Sequence, residues 1–350
     1  MKECIDVNKI KDYIEINYGF NVENVENVKS SYKIITENGG YCLKIIEYEF
    51  SHFYFILSAM KHLQKHEFKY IPNFILNREN KEYGKIGEYY AYLTEWVPSR
   101  VSNYDNPLEL SKISTKLGEL HECSKNFILT DQMKPRIGWF SWLNVFTTRM
   151  NEILDFEKRI NQKVQKSKFD ILYLENIHSE VERAEKSILG LDKNNYLSFM
   201  EKEVFRGGFC HHDYAHHNIL VDDYENLNII DFDYCILDSH LHDLSSLLIR
   251  AMKDGRWDKN KADIILESYK RAYDIEDHEL PLIREFIRFP QYFWQLGIQV
   301  YWEQQSWGEE FFINKLQKYL NDVKEREEFI DTYFKGGDWY RWIGDKRISK

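Results

Sequence analysis

Between Cys210 and Asp233 the chain reads Cys210-His211-His212-Asp213-Tyr214-Ala215-His216-His217-Asn218-Ile219-Leu220-Val221, turns at Asp222-Asp223, and resumes as Leu227-Asn228-Ile229-Ile230-Asp231-Phe232-Asp233. A polar loop enters a short apolar strand, and a second apolar strand ends in carboxylates. Such a β-turn-β unit folds the end of the second strand back towards the loop. Asp213 and Asn218 are five residues apart and Asp231 lies thirteen beyond Asn218, so the hairpin lets the three side chains converge. These are the groups that phosphoryl transfer requires. One carboxylate orients or deprotonates the attacking hydroxyl, while an amide oxygen and a second carboxylate hold magnesium on nucleotide phosphates. Asp213 is the expected catalytic base, and Asn218 and Asp231, as hard oxygen donors, are the expected Mg2+ ligands. For Asp233 two roles stay open, a second metal position or a cap for the following turn.

The stretch resembles the H-x-D-x-x-x-x-N…D-F-D signature of the aminoglycoside phosphotransferase superfamily, which has a protein-kinase-like fold. A closer resemblance is to the CotS family of spore-coat proteins. It rests on Tyr32-Lys33-Ile34…Tyr41-Cys42-Leu43-Lys44, on Leu93-Thr94-Glu95-Trp96-Val97 and on Phe289-Pro290-Gln291-Tyr292-Phe293-Trp294. The resemblance implies an α+β fold of two lobes, a small antiparallel-sheet N-terminal lobe (1–97) and a larger, mostly helical C-terminal lobe (98–350), with ATP between them. It implies that Lys44 reaches the α and β phosphates, that Glu95, Trp96 and Val97 form a hinge meeting adenine through backbone groups, and that His211 and Asp243 are structural supports of the catalytic loop. It also implies a sporulation context.

The N-terminal pattern agrees with a sheet-and-helix lobe. Residues 7–18 show helical spacing, Tyr32–Thr36 and Tyr41–Ile46 flank a Gly-containing turn, and Phe53, Ile56, Leu57, Met60 and Leu63 form a helical stripe after Ser51. Strands near 73–76, 83–86 and 88–94 complete an expected five-stranded sheet. Beyond the connector 96–100, Asn106 before Pro107 reads as a helix N-cap with proline in first position. Two long charged helices are expected within 141–190, and helices over 242–252, 261–273, 280–288, 292–305 and 309–320.

Two features depart from an active-kinase pattern. The segment from Asn24 to Ser31 contains no glycine where a phosphate-covering loop favours backbone access, so the Ser30 and Ser31 hydroxyls are the expected substitutes. The helix from Phe50 to His66 carries no Asp or Glu to pair with Lys44. His212 and His217 also stand where the superfamily commonly has glycine. Two functions therefore stay open: an ATP- and Mg2+-dependent phosphotransferase acting on a hydroxyl of a small polar acceptor such as a sugar or amino sugar, and a kinase-like coat-assembly protein with little turnover. The four histidines between His211 and His217 raise a transition-metal alternative, against which no cysteine or second histidine cluster has ligand spacing.

Composition narrows the classes. A net charge of −10 argues against nucleic acid as the main partner. Five scattered cysteines without a C-x-x-C pair suggest reduced thiols. No apolar run approaches the length of a membrane span, and the N-terminus lacks a signal-peptide pattern. A cytoplasmic protein is expected, with the spore coat as its destination and other coat proteins as partners if the resemblance carries its context. Aromatic residues make up 16% of the chain, which fits large cores, a sugar cleft or an assembly surface. Phe293, Trp294, Tyr301, Trp302 and Trp307 cannot share one helical face, so part of the set should pack inward and part face a ligand or partner; Trp294 and Tyr301, seven apart, are expected to share a face.

Overall fold

A computed structural model of the chain describes residues 6–334. The chain is of the α+β class, with an antiparallel sheet in the N-terminal region and helices in the C-terminal part. It forms two compact units, and neither is continuous in sequence. Of the described residues, the first takes those up to Asn103, then Glu119–Arg136 and His211–Ile236; the second takes Tyr104–Gly118, Ile137–Cys210 and those from Leu237 onward.

The first unit opens with α1 (Val7–Tyr18), capped at its N-terminus by the Asp6 carboxylate and at its C-terminus by Gly19 in the left-handed region. β1 (Val22–Val28), β2 (Ser31–Thr36), β3 (Gly39–Ile46), β4 (Phe74–Ile75), β5 (Tyr83–Ile86) and β6 (Tyr89–Glu95) make one antiparallel sheet in the order β1-β2-β3-β6-β4, with β5 also paired to β6. The sheet has six strands rather than five. The extra one is β1, which the sequence hides: its valines recur every third residue, and its burial does not alternate. Side-chain alternation turns successive residues of β3 to opposite faces. Leu43 packs with Ile10 and Ile14 of α1, whereas Ile46 packs with Phe53 and Leu57 of α2 (Phe50–Lys65). Lys44 shares the α2 face. β7 (Ser99–Val101), β8 (Ile219–Asp222) and β9 (Leu227–Ile229) form a second antiparallel sheet in that order.

The second unit is helical. It takes the start of α3 (Pro107–Ser124), whose Asn106 side chain accepts from the amides of Leu108 and Glu109 as an N-cap. It continues with α4 (Trp142–Asn161), α5 (Lys168–Lys193), α6 (Tyr196–Arg206), α7 (His240–Met252), α8 (Lys259–Lys270), α9 (Leu280–Arg288), α10 (Gln291–Gly297) and α11 (Glu309–Tyr333). Ile153, Phe156 and Ile160 of α4 meet Tyr173 and Ile177 of α5, Phe293 and Leu296 of α10, and Leu316 of α11 in one core. Gly297 is forced there, since a Cβ would lie 2.6 Å from the Tyr173 hydroxyl and collide with the Phe156 ring.

After α10 the chain widens into a π-turn, Ile298–Trp302, in which the Glu303 amide donates to the Ile298 carbonyl. The wider turn shifts the phase of the helix. Phe293 and Tyr301 therefore share the core, while Trp294 is partly buried with its indole N–H on Glu152 and its ring against Arg149. Trp294 packs from the side against the cluster that holds both Phe293 and Tyr301. Trp302 and Trp307 remain 45% and 52% exposed.

At the start of α7, His240 is wholly enclosed, its Nδ1 bonded to Glu203 of α6 at 2.8 Å and its Nε2 3.6 Å from Glu279. Burial alone would lower the imidazole pKa, but the Glu203 and Glu279 carboxylates reverse this and push it up to about 9. Glu203 is opposed by its own burial, yet His240 and Arg206 pull it down to about 2.

Candidate active site

The hairpin delivers what its sequence implies. Ile219, Leu220 and Val221 pair with Ile229, Asn228 and Leu227, and the Ile230 amide donates to the Asn218 carbonyl at 2.9 Å, so Asn218 stands opposite Ile230 with Asp231 next in line. The loop before β8 is a chain of short turns. The Ala215 amide donates to the Asp213 carbonyl and the Asn218 amide to the Ala215 carbonyl, each at 2.8 Å. Within it, Asn218 Nδ2 donates to the Asp213 carbonyl at 2.9 Å and to its Oδ2 at 2.8 Å. Spending the amide nitrogen on Asp213 leaves Asn218 Oδ1 as the acceptor, the hard oxygen that a divalent cation takes.

His211 is buried beneath this loop. Its Nε2 donates to the Ile230 carbonyl at 3.0 Å and its Nδ1 accepts from the Asp213 amide at 3.3 Å, which requires the Nε2–H tautomer and ties the base loop to the strand that ends at Asp231. Both ring nitrogens are thereby engaged. Among the described residues none of the four neighbouring histidines falls in a group of donor side chains close enough to hold a metal ion. His212 and Asp231 both sit in the left-handed backbone region, φ 68° and 66°, which costs a side-chain-bearing residue energy and recurs where function demands a fixed geometry.

Lys44 is 7% exposed. Its ammonium lies 2.9 Å from Asp231 Oδ1, 3.1 Å from Asp233 Oδ2 and 3.2 Å from Ser30 Oγ. Burial disfavours its charge, but the Asp233 and Asp231 carboxylates outweigh that and raise its pKa above the ordinary lysine value. Asp233 is thus a partner of the lysine, a role the sequence left unassigned; the signal for it is the second carboxylate two residues after Asp231 in a chain whose α2 has none.

The remaining expected residues divide. Ser30 lies in the two-residue turn between β1 and β2 and reaches Lys44, and the Ser31 hydroxyl donates to the Val28 carbonyl at 3.1 Å across the same turn. Glu95 ends β6 opposite Tyr41, three pairs along the ladder from Lys44 and Tyr92, or about 10 Å at the usual rise per residue. The Trp96 amide is committed to the Gly40 carbonyl at 3.0 Å, and the Val97 carbonyl accepts from Ser99 Oγ.

A model of the family described as "Spore coat putative kinase YutH" matches residues 11–333. The chain belongs to this family. Within the spore-coat kinase-like proteins it is similar to Spore coat protein S of Bacillus subtilis (strain 168), with 21% identity over 321 residues, covering 90% of this chain and 91% of that protein. Its fold is that of the small-molecule phosphotransferases. The crystal structure of an aminoglycoside phosphotransferase from Alicyclobacillus acidocaldarius superposes with a TM-score of 0.79 at 20% identity, covering 90% of this chain and 92% of that one. Spectinomycin phosphotransferase APH(9)-Ia, in complex with ADP and spectinomycin, superposes with a TM-score of 0.66 at 14% identity, covering 93% and 99%. Among the described residues of this spore-coat family member, no helix is long and apolar enough to cross a membrane.

Proposed function

We propose that the protein is an ATP- and Mg2+-dependent phosphotransferase that phosphorylates a hydroxyl of a small polar acceptor, such as a sugar or amino sugar, in the context of the spore coat. The observation that carries this reading is the clustering in one compact unit of an Asp213–Asn218 pair, bonded at 2.8 Å, and a Lys44–Asp231 pair at 2.9 Å, with the Asn218–Ile230 backbone bond between them. Residues 1–97 supply Lys44, Ser30, Ser31 and the hinge Glu95–Val97; residues 98–350 supply Asp213, Asn218, Asp231 and the acceptor site.

In this reading Asp213 accepts the proton of the acceptor hydroxyl, or orients that hydroxyl for attack. Asn218 Oδ1 and the Asp231 carboxylate hold the metal. A divalent cation held there would supply positive charge against the phosphoryl oxygens. Lys44 binds the α and β phosphates, Ser30 offers a hydroxyl from the β1–β2 turn, and backbone groups of Glu95–Val97 meet adenine. The donor set, an amide oxygen and a carboxylate without thiolate, fits Mg2+.

A second reading, a coat-assembly protein of kinase-like fold with little turnover, is favoured by the exposed indoles of Trp302 and Trp307 and by the side chain at the left-handed His212. Thermal-shift titration with ADP and ATP analogues, with and without Mg2+, followed by a turnover screen over sugars and amino sugars, separates the two. Metal-linked stabilisation with turnover supports the enzyme; absence of nucleotide stabilisation under every condition removes it.

A further inference from the structure

We propose that Asp233 is the positioning residue of Lys44, taking the part of the carboxylate that α2 lacks. This inference rests on the assignment of Lys44 to the nucleotide phosphates. A buried ammonium requires an anion, because its desolvation cost is repaid only by a paired charge. Among the described residues beside Lys44, Ser30 is uncharged, and Asp231 Oδ1 at 2.9 Å belongs to the residue assigned to the metal. Once the Asp231 carboxylate serves a divalent cation, its charge is shared, and Asp233 Oδ2 at 3.1 Å is the counter-charge beside the lysine that lies outside the proposed metal set.

Position supports this division. Asp233 has a side chain 13% exposed against 29% for Asp231, so the better-enclosed carboxylate faces the enclosed ammonium and the more open one is left for the ligand. The backbone arranges it. Asp231 adopts the left-handed conformation and the next three residues form a tight turn closed by the Cys235 amide on the Phe232 carbonyl at 2.9 Å. Phe232 is driven inward onto His211, while the residues on either side of it both reach Lys44. No carboxylate of α2 competes, for Phe50–Lys65 contains none, and Glu49 at its N-cap is 2.9 Å from Lys134.

A double-mutant cycle of Lys44→Met and Asp233→Asn tests the pair, read first as urea unfolding without nucleotide and then as Mg2+-ADP affinity. Asp233→Asn should weaken Mg2+-ADP binding about tenfold, leave the Mg2+ concentration needed for half-saturation unchanged, and have almost no further effect in the Lys44→Met background. Asp233→Glu should recover most of the affinity. Equal effects of Asp233→Asn in both backgrounds would overturn the proposal. So would a raised Mg2+ requirement like that of Asp231→Asn, which would make Asp233 a metal ligand. If the wild type binds no ADP under any condition, the phosphotransferase reading falls, and the unfolding cycle alone still decides whether Asp233 holds Lys44.

Discussion

Asn218 spends both hydrogens of its side-chain amide on Asp213, one on the backbone carbonyl and one on the carboxylate. One side chain thereby fixes the proposed base and keeps its own oxygen as an acceptor for the proposed metal. Asn218→Ala should remove both functions: metal-linked ADP binding is lost, and urea unfolding shows a loss of about 2 kcal/mol, the scale of hydrogen bonds to a charged group in a buried setting. Unchanged unfolding stability would mean that the loop holds itself without this contact.

Metal and base should separate by mutation. A ligand that binds only the folded state raises the melting temperature by mass action. Mg2+-ADP should therefore stabilise the wild type and Asp213→Asn alike, but Asp231→Asn hardly at all, while Asp213→Asn abolishes phosphoryl transfer. Loss of nucleotide stabilisation in Asp213→Asn would assign that residue to loop support instead.

The His240–Glu203 pair gives the second unit a pH dependence of known sign. The folded His240 pKa, about 9, lies above its ordinary value of 6.5, so its contribution to stability is complete below about pH 6.5 and is lost as pH rises through 9. Glu203, lowered to about 2 from 4.5, contributes above about pH 4.5 and loses that contribution as pH falls towards 2. Urea unfolding of the wild type should weaken between pH 7 and pH 9, and His240→Asn should flatten that slope; a slope of the same size in the variant would refute the protonated pair.

Gly297→Ala should destabilise the helical unit by about 1–3 kcal/mol through overpacking, because the added methyl meets the Phe156 ring and the Tyr173 hydroxyl. Thermal unfolding measures it. A neutral result would show that α10 can slide away from α4 and α5 at no cost.

Much of the site was legible because its residues sit on short, strongly patterned elements. The polar loop, apolar strand and turn at Asp222 fix the hairpin, and the Asn106–Pro107 pair fixes the start of α3. What escaped was structure without a regular period. β1 repeats Val-Glu-Asn rather than alternating, and as an edge strand it has no second neighbour to impose alternation. α6 escaped for a related reason: Leu197, Val204 and Phe205 are exposed apolar residues on its outer side and blur its stripe. The π-turn after α10 changed the phase of a helix whose residues were individually well read. The Asp233–Lys44 contact joins residues almost two hundred positions apart, and no local pattern encodes such a distance.

That separation has a consequence in time. Lys44 leaves the ribosome 187 residues ahead of Asp231, which at about 5–20 residues per second is an interval of about 10–40 s. Throughout that interval the N-terminal strands carry an ammonium on the face meant for α2 without the carboxylates that neutralise it. The strands can therefore pair early, but Lys44 has no counter-charge to be buried against until the Asp231–Asp233 turn is made, so its enclosure is expected late in the folding of the nascent chain.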